Sequence, residues 1–187
     1  MRLIITGILL GMGVSCAKYT PKPRGFYRID IPEAQYGEFS ADDLPCTFRV
    51  SRLVTIELPP RGTPAEWINL SYETLDAKVY CSYREITSET LPAVTEDCRT
   101  LLLHSVKNAT AITEQRYEDR NIHLYAALFR IAGESASPIQ FMLTDSVRHF
   151  FRGALYYQCR MDADSLAPVT DYVGKDVIEL IQSFQWK

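Results

Sequence analysis

The stretch that most restricts what this chain can fold into runs from Ala111 to Cys159. Four segments in it, AITEQRYE, IHLYAALFRI, IQFMLT and HFFRGALYYQC, are rich in β-branched and aromatic residues. The links between them, DRN, AGESASP and DSVR, are short and polar. A parallel connection needs a crossover of about a dozen residues or more, so links this short permit only antiparallel neighbours. The spacing therefore predicts a meander. In its last strand Phe150-Phe151 and Tyr156-Tyr157 are adjacent pairs, and successive side chains on a strand point to opposite faces. Aromatics on both faces predict a sheet that is covered on both sides or that keeps one face open for binding.

Upstream, FYRIDI (Phe26 to Ile31) alternates and stops at Pro32, and CTFRVSRLVTIEL (Cys46 to Leu58) reads as a strand ending at Pro59-Pro60. EWINLSY and AKVYCSYREI flank a short ETLD link, which predicts a hairpin. A helix is predicted over Leu91 to Val106. Thr90 is its cap, Pro92 lies in its first turn, and Glu96-Asp97 lie where negative charge suits the dipole. Val94, Cys98, Leu101, Leu102 and Ser105 recur at helical spacing, so Cys98 should face the core. The last segment, PVTDYVGKDVIELIQSFQWK, carries a stripe of Val169, Tyr172, Val173, Val177, Leu180, Ile181 and Phe184. Pro168 suits the first turn of that helix, and Gly174 falls off the stripe at a small helical cost. Strands, a helix, more strands and a last helix make an α+β chain rather than repeated βαβ. The expected architecture is one twisted, mainly antiparallel sheet with two long amphipathic helices packed on it.

The N-terminus says where such a domain lives. MRLIITGILLGMGVSC has one positive charge, a run of about a dozen apolar or small residues, and small residues before Cys16. That layout is a secretory signal, too short for the roughly 20 apolar residues of a membrane span. Gly13-Val14-Ser15 resembles the lipobox that precedes an acylated cysteine in bacterial lipoproteins, with Gly13 where Leu is usual. The division expected is a signal peptide over 1–15, a lipidated Cys16 with a Pro-rich basic stalk over 16–25, and a single α+β domain over 26–187. Two or three acyl chains at about 0.8 kcal/mol per buried CH₂ anchor a protein stably, so the expected location is the cell envelope. The mature chain has 19 basic against 23 acidic residues, and nothing in that balance points to a nucleic acid as partner.

Four cysteines remain, Cys46, Cys81, Cys98 and Cys159. Outside the cytoplasm they allow two disulfides in any of three pairings, and buried free thiols are the alternative. No Cys-x-x-Cys pair and no histidine at ligand spacing is present, so neither a metal nor a cofactor is expected.

Asp145, Ser146 and His149 crowd into one link and are the residue types of a hydrolytic triad. A serine nucleophile needs a sharp glycine-flanked turn and backbone donors for an oxyanion, and triad members converge from separate segments. Here Ser146 has no neighbouring glycine and all three lie between two β segments. The chemistry of Asp and Ser, which bond nearby backbone N–H groups, predicts a hairpin tip instead. His104, near a helix end, and His123, within a strand run, read as structural. A hydrolase using Ser146 and His149 is the least favoured reading, and no catalytic residue is expected.

PKPRGFYRIDIPE, WINLSY, AKVYCSYRE, PIQFMLTDSVRHFFRGALYY and DSLAPVTDYVGKDVIELIQSFQWK together resemble the GldD family of gliding-motility lipoproteins. The resemblance covers nearly all of the mature chain. It implies a non-enzymatic envelope lipoprotein, acylated at Cys16 with palmitate-type chains. Its implied partners are the membrane and other envelope proteins of a motility or type IX secretion assembly, at the outer membrane or its periplasmic face rather than at the inner membrane. By element order alone the chain also resembles the PsbP/Mog1-like α/β/α sandwiches. Asp145-Ser146-Val147 and Asp164-Ser165-Leu166 resemble an Asp-Ser/Thr-aliphatic O-glycosylation acceptor, at Ser146 and Ser165. The contact loop expected for a partner is Asp145, Arg148 and His149. A carrier for a small apolar ligand, which would need a pocket of several hundred Å³, is the alternative.

Overall fold

The computed structural model describes residues 33–60, 66–106, 108–158 and 163–187. The signal, Cys16, the stalk, the FYRIDI segment and Cys159 lie outside the described residues. Ten strands and two α-helices follow one another in these segments: β1 (Tyr36–Ser40), β2 (Cys46–Ser51), β3 (Thr55–Glu57), β4 (Trp67–Tyr72), β5 (Ala77–Glu85), α1 (Leu91–Ser105), β6 (Asn108–Asp119), β7 (Leu124–Glu134), β8 (Ile139–Thr144), β9 (His149–Tyr157), α2 (Ala163–Ser183) and β10 (Gln185–Trp186).

The predicted meander forms as β6-β7-β8-β9, and the predicted hairpin as β4-β5, turned by a short 3₁₀ segment and a left-handed Asp76. The two join because β9 pairs along the whole of β5, from Ala77 opposite Tyr157 to Glu85 opposite His149. The result is a seven-stranded sheet of order β3-β4-β5-β9-β8-β7-β6, antiparallel at every step. A second, three-stranded sheet has the order β1-β2-β10.

The segment read as one strand from Cys46 to Leu58 is in fact two, in different sheets. Ser51, fully buried, accepts the Val54 N–H at its carbonyl and the Leu53 N–H at its hydroxyl, and the turn so made carries the chain from one sheet to the other. His123 also leaves its expected strand. It sits in the β6–β7 turn with φ 49°, a conformation that ends the pairing before Leu124.

α2 and the small sheet cover one face of the large sheet. Phe48, Phe141, Phe151 and Phe184 meet there, with ring centroids 5.5 to 6.3 Å apart, joined by Val169, Val173, Val177, Leu180 and Ile181 from the predicted stripe. Each such side chain contributes about 1.5–3 kcal/mol on burial. α1 lies on the other face, where Ile86, Val94 and Phe150 pack with Leu91, Cys98 and Met142. Phe150 and Phe151 thus enter separate cores, as strand alternation requires, and the chain is an α+β sandwich with helices on both faces.

The two helices differ in how firmly they are held. α2 begins five residues before Pro168, so Pro168 is inside it and removes one backbone bond rather than opening the first turn. It is enclosed from two sides, and residues off the stripe are buried too. Gly174 lies under the Arg130 guanidinium of β7, where a Cβ would come within 2.5 Å of Nη2. Asp176 accepts the Tyr36 hydroxyl at 2.8 Å and the Tyr72 hydroxyl at 3.1 Å. α1, by contrast, fully buries only Val94 and leaves Leu103 63% exposed. Its Cys98 reaches the smaller core, half-buried. Thr90 stands at its N-cap, as expected, but makes no side-chain cap bond into the helix. Its hydroxyl instead accepts the Thr87 N–H at 2.8 Å while its own N–H donates to Thr87 Oγ1 at 3.3 Å, so the two threonines satisfy each other in the turn that precedes the helix.

Candidate functional site

The β8–β9 link is a hairpin tip built around one carboxylate. Asp145 Oδ1 accepts the backbone N–H groups of Val147, Arg148 and His149 at 2.8 to 2.9 Å. Thr144 closes the turn by donating to the His149 carbonyl at 2.8 Å and accepting from the Ser146 N–H at 2.9 Å. Ser146 takes a left-handed φ of 66°, which this short-side-chain turn absorbs. Partial burial pushes the Asp145 carboxyl up, but the three backbone donors together outweigh it and hold the group below its ordinary value.

The three triad-type residues are close in the chain, but their side chains do not bond one another. The Asp145 oxygen is taken by backbone. His149 Nδ1 is 2.7 Å from the Tyr83 hydroxyl, and its ring stacks on Trp186 with centroids 5.1 Å apart and planes 19° off parallel. Burial, then the nearby Glu85 carboxylate, raises the Tyr83 phenol to about 12. Its O–H therefore stays on, as the hydrogen-bond partner of His149 Nδ1. Tyr83 and Trp186 were not singled out from sequence as site residues. The only signal for Tyr83 was a strand position whose register is decided by β9.

Around this tip opens a cleft of about 1240 Å³. Its walls come from five places: the Asp42–Pro45 loop before β2, Glu66 before β4, the end of β5, one side of α1, and the start of β9 with Lys187. The register sets Arg84 opposite Phe150 and Ser82 opposite Arg152, so Arg84 and Arg152 are diagonal neighbours on one sheet face. Neither of them, nor Arg148, makes an ion pair among the described residues. Asp42, Asp43, Glu66, Glu85 and Asp97 line the same cleft, which therefore presents both signs of charge. Val147 projects from the tip 69% exposed.

The other predicted site residues are dispersed. Cys46, Cys81 and Cys98 are free thiols, so no disulfide joins any two of them; Cys159, like Cys16, lies outside the described residues. Burial raises the Cys46 thiol to about 12 and Cys81 further, which keeps both protonated. Ser146 stands exposed at the tip. Ser165 lies half-buried in the first turn of α2, beside a buried Leu166. His104 is in the last turn of α1. Two further grooves are open-sided. One, of about 680 Å³, lies between α1 and strands β6 to β8; the other, of about 500 Å³, lies beside α2.

Fold and cleft together define a class: an α+β sandwich that carries a wide, mixed-charge recess at the end of its central hairpin. The chain belongs to the gliding motility lipoprotein GldD family, whose profile matches residues 16–186 and so begins on Cys16. It is thus a lipid-anchored lipoprotein of the cell envelope, of the gliding-motility type. A comparison with curated proteins found no match. Among solved structures, the solution structure of the cyanobacterial PsbP protein (CyanoP) from Synechocystis is similar, with 9% identity and a TM-score of 0.45 over 86% of this chain and 97% of that one.

Proposed function

We propose that this protein is a non-enzymatic binding component of an envelope motility or type IX secretion assembly, held at the outer membrane or its periplasmic face by acylated Cys16. The observation that carries the reading is the cleft of about 1240 Å³ at the β8–β9 tip. A recess with arginines that have no carboxylate of their own among the described residues, beside an exposed apolar residue and an aromatic stack, suits a partner protein's polar rim and anchor residues. Arg84, Arg148 and Arg152 supply contacts, His149, held by its stack on Trp186, supplies a fixed aromatic surface, and Asp145 acts indirectly by shaping the turn.

The test is capture of partners from membranes with the anchor intact. Arg148→Glu and Arg152→Glu should reduce what is captured while the fold, followed by circular dichroism, stays unchanged. Unaltered capture by both variants would remove the cleft from the proposal. Cys16→Ala should release the chain into soluble fractions, and persistence in membranes would overturn anchoring at that residue.

The groove of about 680 Å³ beneath α1, lined in part by Leu91, Leu102, Phe129 and Met142, favours a second reading as a carrier for a small apolar ligand. Saturable binding of a fluorescent fatty acid, lost on Phe129→Glu, would support it.

A further inference from the structure

The two edges of the large sheet are unlike. β3 spans Thr55–Glu57 and is followed at once by Pro59-Pro60, which offer no N–H to a neighbour. β6 spans Asn108–Asp119, and among the described residues only β7 pairs with it. Its outward N–H and C=O groups form a long template for another strand. One irregularity, between Ala109 and Ala111, interrupts the register, so the regular part of the edge runs from Ala111 to Asp119.

The side chains along that part have a definite pattern. Ile112, Glu114, Arg116 and Glu118 alternate with Thr113, Gln115 and Tyr117, so the first set shares one face and the second set the other. Glu114 and Arg116 are ion-paired within the strand at 2.5 Å, with the Arg116 side chain 81% exposed. A second copy can add antiparallel to this edge about a two-fold axis perpendicular to the sheet. That axis must pass through a residue, because only then do paired side chains share a face. The midpoint of Ala111–Asp119 is Gln115. Centred there, each Glu114 lies opposite the other copy's Arg116, a quartet of alternating charge. The neighbouring centres do the reverse: centring on Arg116 sets the two Arg116 against each other and Glu114 against Glu118, and centring on Glu114 sets the two Glu114 together. Like charges directly opposite destabilise a pair and unlike charges stabilise it. The register that uses the whole regular edge is therefore also the one its charges select.

We propose that β6 is a self-association edge, through which two copies pair antiparallel about Gln115 to make one continuous sheet. This goes beyond the cleft reading and does not depend on it, since β6 contributes nothing to the cleft at the β8–β9 tip.

Cysteine cross-linking in the full chain, in the envelope of the cell that makes it, tests the pairing. Gln115 is exposed, and Gln115→Cys places two thiols opposite each other across the axis, at a Cα separation of about 4.5–5.5 Å, within the range a disulfide bridges. Under a mild oxidant this variant should run as a disulfide-linked dimer on a non-reducing gel. Thr113→Cys should not, because its own copy lies roughly 14 Å away along the pair. In the Gln115→Cys background, Glu114→Arg or Arg116→Glu alone should cut dimer formation by about tenfold. Mixing differently tagged chains, one with each reversal, should restore a heterodimer, since Arg faces Glu again at every position. Absence of the Gln115→Cys dimer, equal cross-linking at Thr113, or failure of the mixed chains to pair would each overturn the proposal.

Discussion

Gly153 is closely enclosed within the large sheet, and Gly153→Ala gives a sharp test of how the core is packed. It lies in β9 between Cys81 of β5 and Phe141 of β8. A Cβ added there would collide with the Phe141 ring, reaching Cε1 at 2.5 Å and Cζ closer still, and would press on Cys81 Sγ at 3.1 Å. Phe141 is only 2% exposed and packs against Phe151, so the ring has nowhere to retreat. Overpacking of this kind costs typically about 1–3 kcal/mol, and replacing glycine by alanine in a strand returns roughly 0.5–1. The net expectation is a loss of about 1 kcal/mol, or roughly 2–4 °C in Tm for a chain of this size. Thermal and denaturant unfolding followed by circular dichroism measure it. Phe141→Leu, which costs something alone by leaving a small void, should make the Gly153→Ala change nearly free. The pair should therefore depart from additivity by at least about 1 kcal/mol. A Gly153→Ala protein as stable as the parent, or a strictly additive double variant, would refute this account of the sheet's interior.

Asp176 and Asp145 should respond to acid in opposite directions. Burial raises the Asp176 carboxyl despite its two tyrosine donors, so its penalty is fully present above the folded pKa and disappears as pH falls to the unfolded value. Asp176→Asn, which still bonds both hydroxyls, should be as stable as the parent or more so at neutral pH and lose that advantage in acid. Asp176→Ala should cost about 1–3 kcal/mol at any pH by leaving buried hydroxyls unpaired. Asp145 is held below its ordinary value, so its contribution is present at neutral pH and lost as pH falls through the folded pKa. Asp145→Ala should therefore cost about 1–3 kcal/mol at neutral pH and little in acid, with Arg148→Ala near zero throughout as its control. Thiol labelling mapped by mass spectrometry should modify Cys98 before Cys46 and Cys81, whose thiols burial keeps protonated and shielded. Equal rates at all three would contradict the packing described.

The sequence alone determined whatever rests on neighbours along the chain. Short polar links made β6 to β9 a meander, ETLD turned β4 into β5, and the stripe from Val169 to Ile181 made α2 a core helix. Alternation sent Phe150 and Phe151 to opposite cores, and turn chemistry reduced a triad-like cluster to a hairpin tip held by Asp145. Tertiary structure decided everything that depends on segments meeting from far apart. Only the docking of β9 along β5 brings Tyr83 to His149, 66 positions away in the chain. Only a helix enclosed on two sides buries Asp176 between two tyrosines and sets Gly174 under the Arg130 guanidinium. The continuous β-rich text of Cys46 to Leu58 gave no sign that Ser51 would turn it between two sheets. Periodicity and turn chemistry are local energies that a single sequence displays. Register between distant strands, and the burial it imposes on particular polar groups, arises only when the whole chain has closed around them.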